Sequence, residues 1–528
     1  MARQNQLRLL CVTAALAGLA WCGQSSRGVE PDGVRIAFQS DPKPAISTKE
    51  TVAVDHSRYV GVAGCAAANC HGGDGSRGVL GSEYSIWIQD DPHAKAYTDL
   101  FNETSQRMAA ALRLDKPAHQ AKLCLNCHGP QSDPPFDGPV ATHGTLLDGV
   151  SCESCHGAAS RWLGPHVRRD WKQKSAVEKA EFGFRDTKDL WTRGKVCADC
   201  HVGEPGRDVN HDLYAAGHPR LFFELSAFNA NLPAHWDRQA ERKREVEKTG
   251  PAAFGGLRGT ESSFESKLWA VGQVASMEAA LDLLIHRAGN ATDDISTFAR
   301  GGEYPSEKTI AVWPELAETG CFACHHDLKT PSWRQKRGFP SRKPGELPWQ
   351  TWISPMITEP VPANFYSGLL MQEMAKPFPQ RMVVIEQATR ERARLEKAGR
   401  SIADRASHPL IVRKVAQYGS EHGTESWDAA TQTYLGLVAS RLALEDSRDD
   451  FTGLSDERMQ QLDELLESVR IELAFPDGAE SPRNFGGRVT QDLQSKFDEV
   501  YSFVKEIRPR GGAAHAGPVV PGAVHPDR

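Results

Sequence analysis

The sequence predicts a mainly α-helical protein with little sheet, and three observations predict it. Apolar residues recur at helical spacing in the C-terminal part of the chain. Ten of the 12 cysteines lie in five short Cys–His motifs, typical of covalently attached groups that helices and loops enclose. The composition, 40% hydrophobic and 25% charged, is that of an ordinary globular protein. It excludes a disordered chain, a collagen and a multi-pass membrane protein.

Length and charge limit the classes further. The 528 residues are enough for roughly three domains, at about 150 residues each. The formal net charge of -6 lacks the basic excess that proteins need to bind phosphate backbones. Nucleic acid is therefore not an expected partner.

The N-terminus has the pattern of an export signal. Arg3 and Arg8 precede an apolar stretch over 9–21, which is shorter than the roughly 20 residues of a membrane-spanning helix. We predict a signal peptide over 1–22, a periplasmic location and no transmembrane segment. A polar, proline-containing stretch over 23–55 is predicted to be a linker.

The rest of the chain divides by composition. Residues 56–347 hold all the remaining cysteines and 15 of the 19 histidines, whereas 348–507 contain no cysteine and show helical periodicity. We predict a cofactor-bearing domain, then an α-helical domain, then a disordered tail over 508–528. The predicted helices carry four apolar stripes: Trp269, Val274, Met277, Leu281 and Leu284; Trp427, Ala430, Tyr434, Val438 and Leu442; Met459, Leu462, Leu466, Val469 and Leu473; Val489, Leu493, Phe497, Val500 and Val504.

In every motif the second cysteine is followed at once by histidine. Four motifs have two residues between the cysteines: Cys124 and Cys127 with His128, Cys152 and Cys155 with His156, Cys197 and Cys200 with His201, and Cys321 and Cys324 with His325. The first motif, Cys65 and Cys70 with His71, has four.

This arrangement is the attachment signature of c-type haem. Two thiols form thioethers with the porphyrin vinyl groups, and the adjoining imidazole reaches the iron. Zinc knuckles, the alternative, need no histidine at that position and would bring four ligands together on each metal. We therefore expect five covalently bound haem c groups, with the motif histidines as proximal ligands. The wide spacing at Cys65 and Cys70 leaves open whether that motif carries haem.

Two segments resemble the cytochrome c-554 family. Trp87–Tyr97, after the first motif, is similar to the family's segment after its first haem, and Gly149–Gly157 with His166 is similar to its third haem segment. The resemblance covers about residues 60–201. It implies periplasmic electron carriers, related in haem arrangement to hydroxylamine oxidoreductase and pentahaem nitrite reductase. The chain lacks the Cys–x–x–Cys–Lys motif of those nitrite reductases, which argues against a nitrite reductase of that type.

The resemblance implies distal ligands for some of the haems. His93 and His166 are implied directly. His143 lies just before the third motif, where related multihaem proteins often place another ligand. His326 follows His325 directly, so we expect it to ligate a neighbouring haem. Ten histidines compete for five distal positions, namely His56, His93, His119, His143, His166, His211, His218, His235, His286 and His326.

Two assignments stay open at this point. The remaining distal position lies between His211 and His218, and the glycine and proline that flank His218 favour it. In the cytochrome c-554 family the second haem lacks a distal ligand, so the haem at His128 is the candidate open site. His119 or His143 would close this site by ligating the iron at its distal position.

We expect an exported pentahaem cytochrome that transfers electrons between redox partner proteins through closely packed, mostly bis-histidine haems. No residue is assigned a catalytic role. The alternative is a multihaem oxidoreductase that acts on a small nitrogen or sulfur compound at one open haem. In a third hypothesis the C-terminal helical domain is a docking surface for a redox partner. The sequence identifies neither electron donor nor acceptor, and it leaves the oligomeric state open.

Overall fold

The computed structural model describes most of the chain between residues 59 and 510. The described residues are 59–76, 78–130, 146–249, 263–292, 311–318, 368–374, 376, 379–406, 408–424, 427–445, 448, 451–474 and 488–510. Of these, 68% are helical and 2% are in strands, which confirms the mainly α prediction. The predicted signal peptide, the linker and the boundary at 347/348 lie outside the described residues.

The N-terminal half consists of short helices joined by turns. Between residues 59 and 249 the described helices are Glu83–Asp90 (α1), Glu103–Ala111 (α2), Lys122–His128 (α3), Cys152–His156 (α4), Leu163–His166 (α5), Ala176–Ala180 (α6), Leu190–His201 (α7), His211–Ala216 (α8), Leu225–Asn231 (α9) and Arg238–Thr249 (α10). Short 3-10 helices at Val62–Gly64, Pro92–Lys95, Thr98–Phe101, Ala118–Gln120, Ala159–Arg161 and Arg169–Gln173 connect them. Several helices start at a side-chain cap: Asn102, Asp189 and Asn210 each accept a hydrogen bond from a backbone N–H of the first turn.

Longer helices form the C-terminal half. They are Ser263–Asn290 (α11), Gly368–Met374 (α12), Arg381–Ala406 (α13), Ile411–His422 (α14), Trp427–Glu445 (α15), Asp456–Leu473 (α16) and Arg488–Val504 (α17). The predicted stripes lie on α11, α15, α16 and α17. On α16 the five predicted residues are the buried ones, and Ser455 caps the helix by accepting from Arg458 N–H.

Helix α15 is more buried than its stripe predicts. Of its 19 residues, 17 are buried, and they include polar side chains such as Asp428, Gln432 and Ser440. The reason is that α15 packs against α11, α14 and α16. A single apolar face predicts the helix but not the extent of its burial when neighbours pack on several of its sides.

One hydrophobic core joins the two halves of the molecule. It includes Leu190 and Ala198 of α7, Trp269 of α11, Tyr434 of α15 and Phe497 of α17. Helix α11 packs against α7 on one side and against α13 and α15 on others. The helix that carries the fourth motif is therefore packed on the same core as the C-terminal helices.

Helix α11 is also the longest apolar segment in the described ranges. From Phe264 to Asn290 it is long and apolar enough to cross a membrane by length and composition. In this structure 89% of that apolar window is buried inside the protein.

Two small two-stranded sheets complete the described structure. Ala291–Thr292 (β1) pairs in parallel with Ala311–Val312 (β2), and Phe451–Thr452 (β3) pairs antiparallel with Arg508–Pro509 (β4). The segment predicted to be a free tail from residue 508 thus begins with two residues held by β3. Residues 511–528 lie outside the described ranges.

Candidate haem-binding site

Three of the described motifs lie at the ends of helices. Helices α3, α4 and α7 each end at the motif histidine, which is His128, His156 and His201 respectively. Residues three apart share one face of a helix, so the two cysteines of each pair lie on the same side. The local fold therefore presents two thiols and one imidazole together, as covalent haem attachment requires.

A buried carboxylate organises the third motif. Glu153 stands between the two cysteines and is 2% exposed. It accepts backbone hydrogen bonds from Gly61 at 2.8 Å and from Ala159 at 2.7 Å. The carboxylate thus holds the chain before the first motif and the turn after the third motif against α4.

The residue after His156 needs to be glycine. Gly157 has a φ of 85°, and an added Cβ would lie 2.2 Å from the carbonyl oxygen of Gly183. We expect Gly157→Ala to lower the free energy of unfolding by about 1–3 kcal/mol, because L side chains rarely adopt this conformation. Thermal unfolding of the haem-loaded protein measures the effect.

Gly164 offers a matched control on the neighbouring helix α5. An added Cβ there meets nothing within 4 Å. Gly164→Ala should leave the stability unchanged or raise it by up to about 1 kcal/mol, since alanine is the better helix former. Equal unfolding temperatures for the two variants would contradict the strain at Gly157.

The first motif absorbs its extra residues in a turn. Cys65 follows the 3-10 helix Val62–Gly64, and the amides of Cys70 and Gly72 both donate to the carbonyl of Ala67, at 2.8 and 3.1 Å. The backbone is so tight that a Cβ on Gly72 would lie 2.0 Å from the carbonyl oxygen of Ala66. Cys65 is buried and Cys70 is exposed.

Cysteines of different motifs meet in pairs. Cys152 donates a thiol hydrogen bond to Cys65, which lowers the pKa of Cys65 to about 7 and raises that of Cys152. A thiol hydrogen bond to Cys200, together with burial, raises the pKa of Cys127. The first motif therefore adjoins the third, and the second adjoins the fourth. The eight described motif cysteines form no disulfide.

Three motif histidines each face a histidine from elsewhere in the chain. The ring centres are 6.3 Å apart for His71 and His166, 6.1 Å for His93 and His201, and 6.4 Å for His156 and His235. A ligating nitrogen lies about 2 Å from its metal. The ring centre lies about 1 Å further, so two imidazoles that share one metal have centres roughly 6 Å apart. The three measured separations therefore match the distance expected between two axial imidazoles on one iron.

Five of the candidate haem-ligating histidines are oriented by a hydrogen bond at Nδ1, and three of them belong to the facing pairs. The partner is a carboxylate for two of them and a backbone carbonyl for three: Glu83 for His71 at 2.9 Å, Asp91 for His93 at 2.9 Å, Ala96 for His128 at 3.0 Å, Pro219 for His218 at 2.8 Å, and Leu163 for His166. When Nδ1–H donates to such an acceptor, Nε2 is left with the lone pair that binds a metal. The residues present therefore fit haem iron.

Burial keeps several of these imidazoles neutral. It lowers the pKa of His156 to about 4 and that of His201 to about 3, and it also lowers the pKa of His235. Only a neutral imidazole has a lone pair to donate to a metal. The Nδ1 atoms of His156 and His235 are buried and have no hydrogen-bond partner of normal geometry.

The second motif differs from the other three. Within the described residues no imidazole faces His128 at the separation of the three pairs. Burial, and after it the charge of His128, lowers the pKa of His218, which indicates that the two rings are near each other. His119 instead stacks on Phe101, with ring centres 4.2 Å apart. At the start of α8, the backbone amide of His211 donates a hydrogen bond to the carboxylate of Glu315.

Several predicted site residues cannot be placed. His143 and the whole fifth motif, with Cys321, Cys324, His325 and His326, lie outside the described residues. In the described ranges, no three His, Cys, Asp or Glu side chains converge as ligands of a metal ion.

The sequence did not distinguish His235, whose ring faces that of His156 in the structure. It was one of ten candidate histidines, and neither its local sequence nor any family segment distinguished it. Its partner His156 is 79 positions earlier in the chain. The sequence also did not identify Glu83 and Asp91. In the structure their carboxylates accept hydrogen bonds from His71 and His93 and orient the two rings. The position of Asp91 two residues before His93 could have indicated this role, since an aspartate often bonds the backbone two residues on.

Residues 65–157 match the model of the family described as Cytochrome c554 and c-prime. The matched range contains the first three motifs together with His93. A family of c-type cytochromes implies haem c as the cofactor and electron transfer as the activity of this region.

One curated relative supports the same assignment. Cytochrome c-554 of Nitrosomonas europaea is 30% identical over 127 residues, which are 22% of this chain and 52% of that protein. The chain thus spans about half the length of the relative it matches. No solved structure matches the chain significantly.

Proposed function

We propose that the chain is an exported pentahaem c-type cytochrome that transfers electrons between redox partner proteins through closely packed, mostly bis-histidine haems. Haem c supplies the redox couple at each of the five motifs. The protein residues hold it, exclude water from it and set its potential through the axial ligands and their hydrogen bonds.

The observation that carries this proposal is the set of three facing histidine pairs. In each pair one ring belongs to a haem attachment motif, and the other comes from a different segment of the chain. We assign His166 as distal ligand of the first haem, His235 of the third and His93 of the fourth. An iron with two imidazole ligands is low-spin and has no free position for a substrate, which favours electron transfer over catalysis.

The contacts between cysteines support close packing of the haems. A haem is bonded directly to its cysteines, so two motifs whose cysteines touch bring their haems close together. Cys65 contacts Cys152, and Cys127 contacts Cys200. We therefore infer that the first haem lies beside the third, and the second beside the fourth.

The carboxylates behind two of the ligands favour low potentials. Glu83 bonds His71 and Asp91 bonds His93, each at 2.9 Å. A carboxylate that accepts from Nδ1–H makes the imidazole more basic and stabilises the oxidised iron relative to the reduced iron. The first and fourth haems, which these histidines ligate, should have lower potentials than they would with carbonyl acceptors.

A second candidate function rests on His128. The absence of an opposing imidazole among the described residues favours an open second haem, at which a small nitrogen or sulfur compound would bind. His218, which lies near His128, or His143, which is outside the described residues, would occupy the sixth position instead. A high-spin signal that cyanide or nitric oxide removes would favour the oxidoreductase, whereas an unchanged low-spin spectrum would favour the carrier.

The haem count of the mature protein tests the proposal. We expect a pyridine haemochrome assay to give five haems per chain, and intact mass to equal the chain after residue 22 plus five haems. Electron spin resonance should show mostly low-spin iron. A colourless protein, or a mass equal to the bare chain, would overturn the assignment, and an unprocessed N-terminus would overturn export.

A further inference from the structure

Residues 218–223, here called the strap, connect the haem-bearing region to the C-terminal helices. The strap starts at His218, directly after Gly217, which ends α8 with a φ of 112°. It runs without regular secondary structure up to helix α9.

One side of the strap contacts the haem ligands. His218 donates from Nδ1 to its neighbour's carbonyl at 2.8 Å, which leaves Nε2 for a metal. At the other end, Phe223 is 2% exposed and its ring stacks on that of His201, with centres 5.5 Å apart and planes 17° apart. The strap therefore carries one candidate ligand ring, that of His218, and packs against a second, that of His201.

The other side of the strap is fixed to helix α15. Arg220 donates from Nη1 and Nη2 to the two carboxylate oxygens of Asp428, at 2.9 and 2.8 Å. The two side chains are only 9% and 3% exposed. The guanidinium also lies 4.8 Å from the ring centre of Phe222, which packs edge-on against Trp427 of α15 with centres 5.6 Å apart.

Stability alone is a weak reason for such a pair. Two buried charges lose about as much hydration free energy as they gain from each other, and apolar residues of the same volume are often equally stable. A bidentate pair does, however, fix the relative position of the two segments that it joins. Removing one partner of such a pair is strongly destabilising, because the remaining buried charge then has no partner.

We propose that the Arg220–Asp428 ion pair is a positioning device through which helix α15 holds the strap, so that the C-terminal helices control how firmly His218 ligates its haem. This inference rests on the proposed function, since it requires bound haem and His218 as an axial ligand. It gives the C-terminal region a role at the haems that does not depend on docking of a partner.

Asp428→Asn tests the proposal in the haem-loaded full chain. We expect the redox midpoint of one haem to shift while the others stay, and cyanide to bind that haem about tenfold faster, which corresponds to about 1.4 kcal/mol less stabilisation of the ligated state. Hydrogen exchange of the strap amides should increase in the same variant. Arg220→Lys keeps a positive charge but loses the two-pronged geometry, so it should give a smaller change at the same haem, and it serves as the test if Asp428→Asn does not fold.

The matched control lies on the same helix. Arg441 of α15 makes a bidentate pair with Asp463 of α16, at 2.6 and 2.9 Å, with side chains 8% and 27% exposed. This pair does not include the strap. Asp463→Asn should lower the unfolding temperature yet leave every haem midpoint and the cyanide rate as in the wild type.

His218→Ala distinguishes a failure of the positioning role from a failure of the proposed cytochrome function. If it changes the spectrum of one haem and Asp428→Asn leaves that haem unchanged, the positioning role is overturned while the cytochrome function stands. If His218→Ala changes no haem, His218 is not a ligand and the positioning role falls with it. Equal effects of Asp428→Asn and Asp463→Asn on the haem would also overturn the proposal.

Discussion

Replacing His235 by alanine is expected to change one low-spin haem into a high-spin haem and to leave the others unchanged. His235 faces His156 with ring centres 6.4 Å apart, the separation of two imidazoles on one iron. Without the distal ring, the third haem would have a free sixth position and would bind cyanide. Electron spin resonance and a cyanide titration of the haem-loaded protein measure this change.

Two further variants make the result specific. His119 is the matched control, since its ring stacks on Phe101 and faces no motif histidine in the described structure. His119→Ala should therefore leave all low-spin signals in place. The double variant Cys152→Ala with Cys155→Ala should lack the haem that His235→Ala alters. A high-spin signal from His235→Ala that persists in that cysteine background would assign His235 to another haem.

The local features of the site could be predicted from the sequence because they depend on neighbouring residues. The attachment motifs need two thiols and one imidazole within a few positions, and helices α3, α4 and α7 each end at the motif histidine. The stripe on α16 is likewise a periodic pattern over 18 residues, and its five predicted residues are the buried ones.

The pairing of the ligands could not be predicted in the same way. The sequence implied His93 and His166 as distal ligands through family resemblance, yet only the fold shows that their rings face those of His201 and His71. His235 had no local signal at all. Which rings meet depends on contacts between segments far apart in the chain, and residue spacing carries little information about such contacts.

The packing of the two halves against each other could not be predicted from the sequence either. The absence of cysteine from 348–507, together with the helical periodicity there, predicted a separate helical domain. The structure nevertheless packs α11 and α7 on the same core as α13, α15 and α17. Composition reflects where the haems are attached, whereas the core depends on which apolar faces meet.

Ending the chain after residue 367 is therefore expected to abolish the soluble haem protein. This truncation retains all five motifs but removes α12 to α17. Helix α11 would lose close partners: an added Cβ on Gly436 of α15 would lie 3.0 Å from the ring of Trp269, and Gln273 bonds Gln432 at 3.0 Å. Each large apolar side chain that returns to water costs about 1.5–3 kcal/mol, and the loss of many such contacts together reaches the 5–15 kcal/mol that stabilise a typical domain. Soluble yield and haem per chain measure the outcome.

A second truncation separates this effect from a general sensitivity to shortening. Ending the chain after residue 510 keeps β4, which pairs with β3, and removes only the predicted tail. That shorter chain should keep its solubility, its haem count and its unfolding temperature. If the chain ending at residue 367 were soluble and carried the full haem complement, the C-terminal helices would be a separable domain, as their composition predicts. The shared core would then contribute little to the fold of the haem region, and a docking role for those helices would become the better explanation. If only the chain ending at residue 367 failed to give soluble protein, the haem region would depend on these helices for its own stability.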